Sequence, residues 1–401
     1  MKKSGKYLLV GATTKSSLTG LTIAFDLLVQ GFIDRGIPHR VVDIDTWGAP
    51  KNYGKLGIYR VLTTLGVLLS YYWKSIGTNT VYLLMATSLF GFLRNMLMIW
   101  PSHLLGHRII LHLHGAGFEN FYGKQSGWLQ KFIISTFSKA ETIIVLSEGI
   151  GKQFNLIKDK GTVIKVVYNS VPYEPNISDI NQKTITKNGQ FRLLFLSNLI
   201  KSKGYLELLE ACKILYHDYK IPIECDFCGK FIHTILTEDE VRHPEEQFLQ
   251  LISDWKLDEV VRYRGIVSGK EKITLLNQAH LFLLPTVYPW EGQPISILEA
   301  LSFGVPVIST NYRSIPDQVV HGQHGILLNG NNPLDIANAV QQIWQNPNKY
   351  KHWSLQARQH FIANFTQEKH LNTIIPIICG KNDWVKNDAN SKPLKKDIAI
   401  Q

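Results

Sequence analysis

The chain has 401 residues, of which 45% are hydrophobic and 19% charged, a balance that supports a sizeable core and excludes global disorder. This length favours two domains. The net charge of +11 is uneven, because residues 1–180 hold 19 Lys and Arg against 10 Asp and Glu, whereas residues 181–401 hold 24 against 22. The basic first half predicts an anionic partner such as a membrane surface or a lipid phosphate; an ordinary basic protein is the alternative. No nucleic-acid-binding motif is present, so no nucleic-acid partner is predicted.

The four cysteines are few and irregularly spaced, which favours a reducing, cytoplasmic compartment and no disulfide framework. Cys225 and Cys228 form a CxxC inside IECDFCG, at the end of a predicted strand. No second Cys or His pair follows at ligand spacing. Buried thiols are therefore predicted here in preference to a metal or redox site.

The chain opens with strand–loop–helix alternation. The apolar run Tyr7–Val10 is too short for the hydrophobic region of a signal peptide and predicts a first strand. Residues 21–33 have helical spacing of apolar positions, and His39–Ile44 is a second strand. No GxGxxG motif is present, so a dinucleotide site is not indicated. Asp43 and Asp45 resemble a metal-binding DxD, but a loop role at the strand end is favoured.

Residues 58–105 are the most hydrophobic region. They predict helices at Ile58–Trp73 and Ser88–Trp100 around a strand at Val81–Ala86. No stretch reaches the roughly 18 uncharged apolar residues that a membrane span needs. The mixture of apolar and basic residues fits a helix pair resting on a membrane surface, and it equally fits helices packed in an α/β core.

A strand at Ile109–Leu113 ends in His114, followed by glycines. Ligands of α/β proteins bind at the carboxyl ends of parallel strands, so His114 is a candidate site residue. A hydrogen-bonded loop histidine is the alternative, and His112 should point into the core. Alternation of strands and helices across 1–175 predicts one doubly wound domain.

Residues 174–190 are polar and turn-rich, which predicts a linker. After a strand at Phe191–Leu196, a loop carries Lys201 and Lys203 just before a helix. Cations beside a helix start bind phosphate, although a solvated loop is the alternative. Residues 231–250 are predicted to form an acidic surface insertion.

The stretch Leu281–Gly304 predicts a strand, then a Pro- and Gly-rich loop, then an apolar helix at Ile295–Phe303. Pro294 suits the first helical turn, and Gly304 suits the C-terminal stop. Glu291 lies in the loop and Glu299 in the helix, where a buried carboxylate requires partners. The helix start favours an anion. This unit can hold a phosphate and hydroxyl groups; an α/β core unit with one acid at its edge is the alternative.

Residues 291–310, EGQPISILEALSFGVPVIST, resemble the Glu-(x)7-Glu signature of the retaining glycosyltransferases of family 4. SNLIKSKG resembles the phosphate loop of that family. The segments LHLHG, IIVLS and VYNSVP resemble landmarks of its first domain. The resemblance covers nearly the whole chain, although it is weak before residue 105.

The resemblance implies an α/β GT-B fold: two Rossmann-like domains with parallel sheets facing across a cleft, and a C-terminal helix that returns to the first domain. The domains expected are residues 1–178 on the acceptor side and 191–365 on the nucleotide-sugar side, joined by a linker at 179–190. A crossover helix at 366–380 and a flexible tail at 381–401 complete the chain.

The resemblance also implies site roles. His114, near the anomeric carbon, and Glu291, on the sugar hydroxyls, form the catalytic set. The donor-binding set is Gly20, Asn198, Lys203, Val267, Gly292, Gln293, Pro294, Ile295 and Glu299. Within it, Glu299 would bind the ribose and Lys203 the diphosphate. The chain departs from the family in having Ser197-Asn198 where Gly-Arg is common, and a single Gly20 where a Gly-Gly pair is common.

The implied activity is transfer of a sugar, with retention of configuration, from a nucleotide sugar to a saccharide or lipid-linked acceptor in bacterial surface polysaccharide or glycolipid synthesis. The nucleotide sugar is a co-substrate, and no cofactor or obligatory metal is expected. The expected location is cytoplasmic, at the inner face of the plasma membrane if the basic first domain binds anionic lipid. Two alternatives remain: another GT-B enzyme, such as an epimerase or phosphorylase, and a non-catalytic nucleotide- or sugar-binding protein.

Overall fold

The computed structural model describes residues 6–15, 19–44, 58–171, 173–176, 183–186, 189–232 and 243–380. These residues form two compact units: the first contains the described residues up to 171 and those from 367 onward, and the second contains residues 173–366. The predictions for Asp45, for half of the linker 179–190 and for the tail 381–401 lie outside the described residues.

The first unit is built on a six-stranded parallel sheet with the strand order β2-β1-β3-β4-β5-β6. Its strands are β1 (Tyr7–Gly11), β2 (His39–Asp43), β3 (Thr80–Leu84), β4 (Arg108–Leu113), β5 (Thr142–Val145) and β6 (Val163–Val166). Parallel strands need crossover connections. These are supplied by α1 (Gly20–Asp34), α2 (Ile58–Ser75), α3 (Leu89–Leu104), α4 (Phe118–Gly123), α5 (Gly127–Phe137), α6 (Glu148–Gly151) and α7 (Asn155–Lys158).

The second unit repeats this architecture with the strand order β12-β11-β10-β7-β8-β9. Its strands are β7 (Phe191–Leu196), β8 (Ile223–Cys228), β9 (Val261–Gly265), β10 (Leu281–Leu284), β11 (Val307–Thr310) and β12 (Gly325–Leu328). Its helices are α8 (Tyr205–Lys213), α9 (Pro244–Asp254), α10 (Gly269–Gln278), α11 (Ile295–Ser302), α12 (Pro333–Trp344) and α13 (Pro347–Asn364). The last helix, α14 (Gln367–Cys379), packs in the first unit.

Both faces of the first sheet are buried at its central strands β1, β3, β4 and β5, because these strands are apolar at successive positions. Leu8 lies in one core cluster with side chains of α2, α3 and α5. Its neighbour Leu9 lies in another, with side chains of α1 and α14. The helices therefore form one layer on each side of the sheet. Among the described residues, no helix combines the length and the apolar character that crossing a bilayer demands.

The central strand–loop–helix of the second unit forms as predicted, with small shifts. Helix α11 ends at Ser302, and Gly304 follows with a φ of +63°, a conformation that favours glycine. Pro294 is the N-cap and not a residue of the first turn. The next strand begins at Val307, just after Pro306, which has no N–H for the sheet.

The second part of the predicted surface insertion at 231–250 is a mostly exposed helix that buries one aromatic side chain. Residues 244–254 form helix α9, whose Phe248 is fully buried. The ring of Phe248 packs against Tyr205, Phe227 and Phe231 at centroid distances between 5.0 and 5.7 Å. Because most of the segment is acidic or polar, its composition does not indicate that one aromatic side chain, Phe248, is buried.

Candidate active site

The strand order of the second unit reverses between β7 and β10, because the chain runs outward from β7 to β9 and then returns to the other side of β7. Open α/β sheets bind ligands at this kind of switch point, beyond the carboxyl ends of the strands. Two loops lie there, residues 197–204 after β7 and residues 285–294 after β10. We call them the switch-point loops. They carry most of the predicted donor-binding residues.

Glycine 204 holds the two switch-point loops together. Its φ is +80°, and an added Cβ would lie 2.3 Å from the carbonyl oxygen of Pro285. Only glycine permits both this conformation and this approach. Next to it, the backbone N–H of Val287 donates to the carbonyl of Ser202 at 2.7 Å. The turn that carries Lys203 is therefore fixed against the loop that carries Glu291.

Lys203 and Glu291 form a pair within this arrangement. The ammonium Nζ of Lys203 lies 3.4 Å from Oε2 of Glu291, and the two side chains are only 15% and 7% exposed. The buried hydroxyl of Thr286 donates to the same oxygen at 3.0 Å. Lys203 also lies over the ring of Tyr288, 5.3 Å from its centroid. The structure thus brings together the predicted phosphate-binding cation and the predicted sugar-binding carboxylate.

Four further residues of the predicted donor-binding set lie directly beyond Glu291. Gly292, Gln293 and Pro294 lead into α11, which begins at Ile295. Among the described residues, no side chain caps this helix start. The carbonyl of Gly292 accepts a hydrogen bond from the Ser314 hydroxyl, which fixes the turn. The positive end of the helix dipole is thereby presented beside the Lys203–Glu291 pair, an arrangement that favours an anion.

Glu299, one turn into α11, is 8% exposed and has the partner that its burial requires. Its Oε1 lies 2.6 Å from Nζ of Lys272 on α10. Sequence reasoning missed Lys272. The available signal was its position in the first turn of a helix that follows β9, at the same edge of the sheet. Val267, another residue of the predicted donor-binding set, is buried in the loop between β9 and α10.

The position of the expected phosphate-binding Arg is occupied by Asn198, which is exposed directly after β7. Lys201, two residues before Lys203, is also exposed. The nearby Cys225 and Cys228 are buried, as predicted. Burial raises the pKa of the Cys228 thiol to about 12, so this group remains protonated at neutral pH. Among the described residues, no three His, Cys, Asp or Glu side chains are grouped as metal ligands would be.

The two predicted site residues of the first unit lie on different elements. Gly20 is the first residue of α1, and Thr19 caps this helix through a capping box with Thr22. His114 follows β4, and its Nε2 lies 3.1 Å from Nδ1 of His112. The hydroxyl of Tyr82 lies 2.6 Å from the same Nδ1.

The histidine cluster of the first unit is electrostatically neutral near pH 7. His112 is 1% exposed, so the prediction that it faces the core is confirmed. Burial, with the neighbouring His370, lowers the pKa of His114 to about 3. A neutral imidazole can donate or accept a hydrogen bond, but it supplies no positive charge. Sequence analysis missed the partnership with Tyr82, which lies 30 residues before His112.

Part of the chain is similar in sequence to known glycosyltransferases. Residues 176–360 match the family model "Glycosyl transferases group 1". An uncharacterised glycosyltransferase of Methanocaldococcus jannaschii is 24% identical over 271 residues, which is 65% of each chain. The amylovoran biosynthesis glycosyltransferase AmsK of Erwinia amylovora is 30% identical over 34% of this chain and 31% of its own length. The chain thus aligns with just under two thirds of the first relative and about a third of the second.

Solved structures extend the likeness to both units. The Anabaena protein HepE, in complex with UDP and glucose, superposes with a TM-score of 0.65 at 16% identity, covering 94% of this chain and all of that one. A sucrose-phosphate synthase of Thermosynechococcus elongatus gives 0.67 at 14% identity, covering 96% of this chain and 99% of that one. The predicted GT-B fold class is therefore confirmed. Residues 176–360 carry the sequence pattern of the group 1 glycosyltransferases within that fold.

Proposed function

We propose that this protein is a glycosyltransferase that moves a sugar from a nucleotide-sugar donor to a saccharide or lipid-linked acceptor, with retention of anomeric configuration. The observation that carries the proposal is the buried Lys203–Glu291 pair beside the start of α11, at the switch point of the second sheet. The family match at residues 176–360 and the glycosyltransferase relatives support it.

Donor binding follows from the charges at this edge. Lys203 and the α11 N-terminus attract the diphosphate, because both present positive potential to the same loop. Glu299 accepts hydrogen bonds from the ribose hydroxyls, while the ion pair between its Oε1 and Nζ of Lys272 fixes the carboxylate. The backbone near Val267 meets the base. Glu291, oriented by Thr286, accepts hydrogen bonds from the sugar hydroxyls.

In the reaction, the bond between the anomeric carbon and the diphosphate oxygen breaks, and the acceptor hydroxyl oxygen bonds to the same carbon. The hydroxyl proton passes to the leaving diphosphate, and attack occurs on the face from which the diphosphate departs. Lys203 and the helix start stabilise the charge that develops on the leaving group. Because these groups supply positive charge, we propose that no metal is obligatory. The role of His114 near the anomeric carbon stays a prediction.

We assign the reaction to surface polysaccharide or glycolipid synthesis in the cytoplasm of a bacterium. One relative, AmsK, is described as an amylovoran biosynthesis enzyme. The Anabaena structure contains UDP and glucose, so UDP-glucose is the first donor to test.

The test combines donor binding with product analysis. Thermal shifts with UDP-, GDP- and ADP-sugars identify the donor, because a ligand that binds only the native state raises the melting temperature. Labelled donor is then incubated with acceptor saccharides, with and without EDTA. Transfer to acceptor that persists in EDTA is expected. An epimerised donor formed without acceptor, phosphate-dependent cleavage, or binding without turnover would each contradict the proposal.

A further inference from the structure

Helices α2, α3 and α5 form one layer on a single side of the first sheet. Tyr71 of α2, Phe92 of α3 and Ile133 of α5 are buried in the same core cluster as the strand residues on that side. Since these inner faces point to the sheet, the opposite sides of the three helices point away from it. We call this surface the outer face.

The outer face is apolar along α2. Leu62, Leu65, Leu69 and Trp73 recur every three or four residues, which places them on one side of the helix. Leu69 is 70% exposed and Trp73 is 77% exposed. At 1.5 Å per residue, this stripe is about 16 Å long. A helix of a water-soluble protein normally turns such a stripe inward, but α2 already has an inner apolar side.

The stripe continues onto the neighbouring helices. The Tyr72 hydroxyl donates to the carbonyl of Leu97 on α3 at 2.7 Å, which joins the two exposed surfaces. On α3, Leu93 and Leu97 are both exposed. On α5, Trp128 is 72% exposed. Monomers rarely display so many large apolar side chains on one surface without a partner.

The charges of the same region identify that partner. Residues 46–118, which include all of α2 and α3, contain no Asp or Glu. Helix α5 also has no acid and carries the exposed Lys131. On the opposite side of the sheet, α1 carries Asp26 and Asp34. An apolar face with Leu and Trp and with only basic charge is complementary to anionic headgroups above acyl chains.

We propose that the outer face docks on an anionic phospholipid surface, with α2 and α3 lying in the plane of the interface. Two signals act together: Leu69, Trp73 and their neighbours enter the acyl boundary, and the exposed Lys131 meets the headgroups. The inference concerns binding alone and does not depend on the proposed sugar transfer.

The test is co-sedimentation of the full chain with vesicles of phosphatidylglycerol and phosphatidylcholine, compared with phosphatidylcholine alone. Binding to the anionic vesicles is expected, with weakening in 0.5 M salt. The double variant Leu69→Ser, Trp73→Ser should lose at least about tenfold in partitioning, and Lys131→Ala about fivefold. The matched control is Ile33→Ser, which replaces a residue that is 54% exposed on α1, and it should bind as the wild type does.

Leu69, Trp73, Lys131 and Ile33 are all exposed, so the variants should keep the wild-type circular dichroism and melting temperature. Equal vesicle binding by the wild type and the double variant would overturn the proposal, as would absence of binding to anionic vesicles. If sedimentation equilibrium shows a dimer that the double variant abolishes, and no vesicle binding occurs, the outer face is covered by a second copy of the chain and the proposal is wrong.

Discussion

The two units of this protein share one architecture but place charge and apolar surface in opposite ways. The second unit buries paired charges at the carboxyl edge of its sheet, Lys203 with Glu291 and Lys272 with Glu299. The first unit buries a neutral histidine cluster and exposes an apolar, acid-free helix layer. The shared fold therefore does not determine function. Function depends on the side chains at the strand ends and on the outer helix faces.

The largest expected effect comes from removing the cation beside the leaving group. Lys203→Ala should lower kcat/KM for the donor by about 10²- to 10³-fold, because a positioned charge on the diphosphate is lost. Steady-state transfer assays measure this. The matched control is Lys201→Ala, which removes an exposed lysine from the same turn and should change kcat/KM by less than about threefold. Equal losses in the two variants would show that the turn, and not the buried pair, provides the charge.

A smaller loss is expected at the predicted ribose contact. Glu299→Gln keeps the shape of the side chain but removes its charge, leaving Lys272 without its anion. The Kd for UDP should rise about tenfold to a hundredfold, the range expected for hydrogen bonds to a charged group. Titration calorimetry measures it, with Glu210→Gln, an exposed acid on α8, as the control. An unchanged Kd for Glu299→Gln would remove this residue from the donor site.

Acid should destabilise both units through their buried histidines. The pKa of His114 in the first unit is lowered to about 3 by burial and His370, and that of His324 in the second to about 4 by burial and His360. The unfolded chain, with a His pKa near 6.5, binds more protons below that pH, so stability falls as pH drops from 6.5 toward these values. Between pH 7 and pH 5, each of these two histidines should lower the free energy of unfolding by about 2 kcal/mol.

Urea unfolding at pH 7 and pH 5 tests this dependence. His324→Gln should reduce the difference in unfolding free energy between the two pH values by about one histidine's share, about 2 kcal/mol. Gln323→Ala, which replaces an exposed residue without a titratable group next to His324, is the control and should leave the difference as it is in the wild type. A difference unaffected by His324→Gln would mean that this histidine does not carry the acid sensitivity.

Local patterns predicted the β10–α11 segment because its strand, loop, helix and stop are each encoded within a few residues, from Leu281 to Gly304. They also predicted that Glu299 needs a partner. They did not identify Lys272, because that pairing depends on how α10 and α11 pack across 27 residues. Similarly, Lys183, inside the predicted linker, is buried and donates to the carbonyls of Leu276 and Phe303. No local pattern distinguishes such a lysine from a solvated one.

The central claim is that the switch-point loops of the second unit bind the donor nucleotide. Hydrogen-exchange mass spectrometry of the full chain, with and without saturating UDP, tests it most directly. We predict slower exchange in peptides covering residues 197–205, 266–272 and 285–299, with α2 and α3 unchanged. Protection confined to the first unit, or absent from these three segments while UDP is bound, would contradict the account.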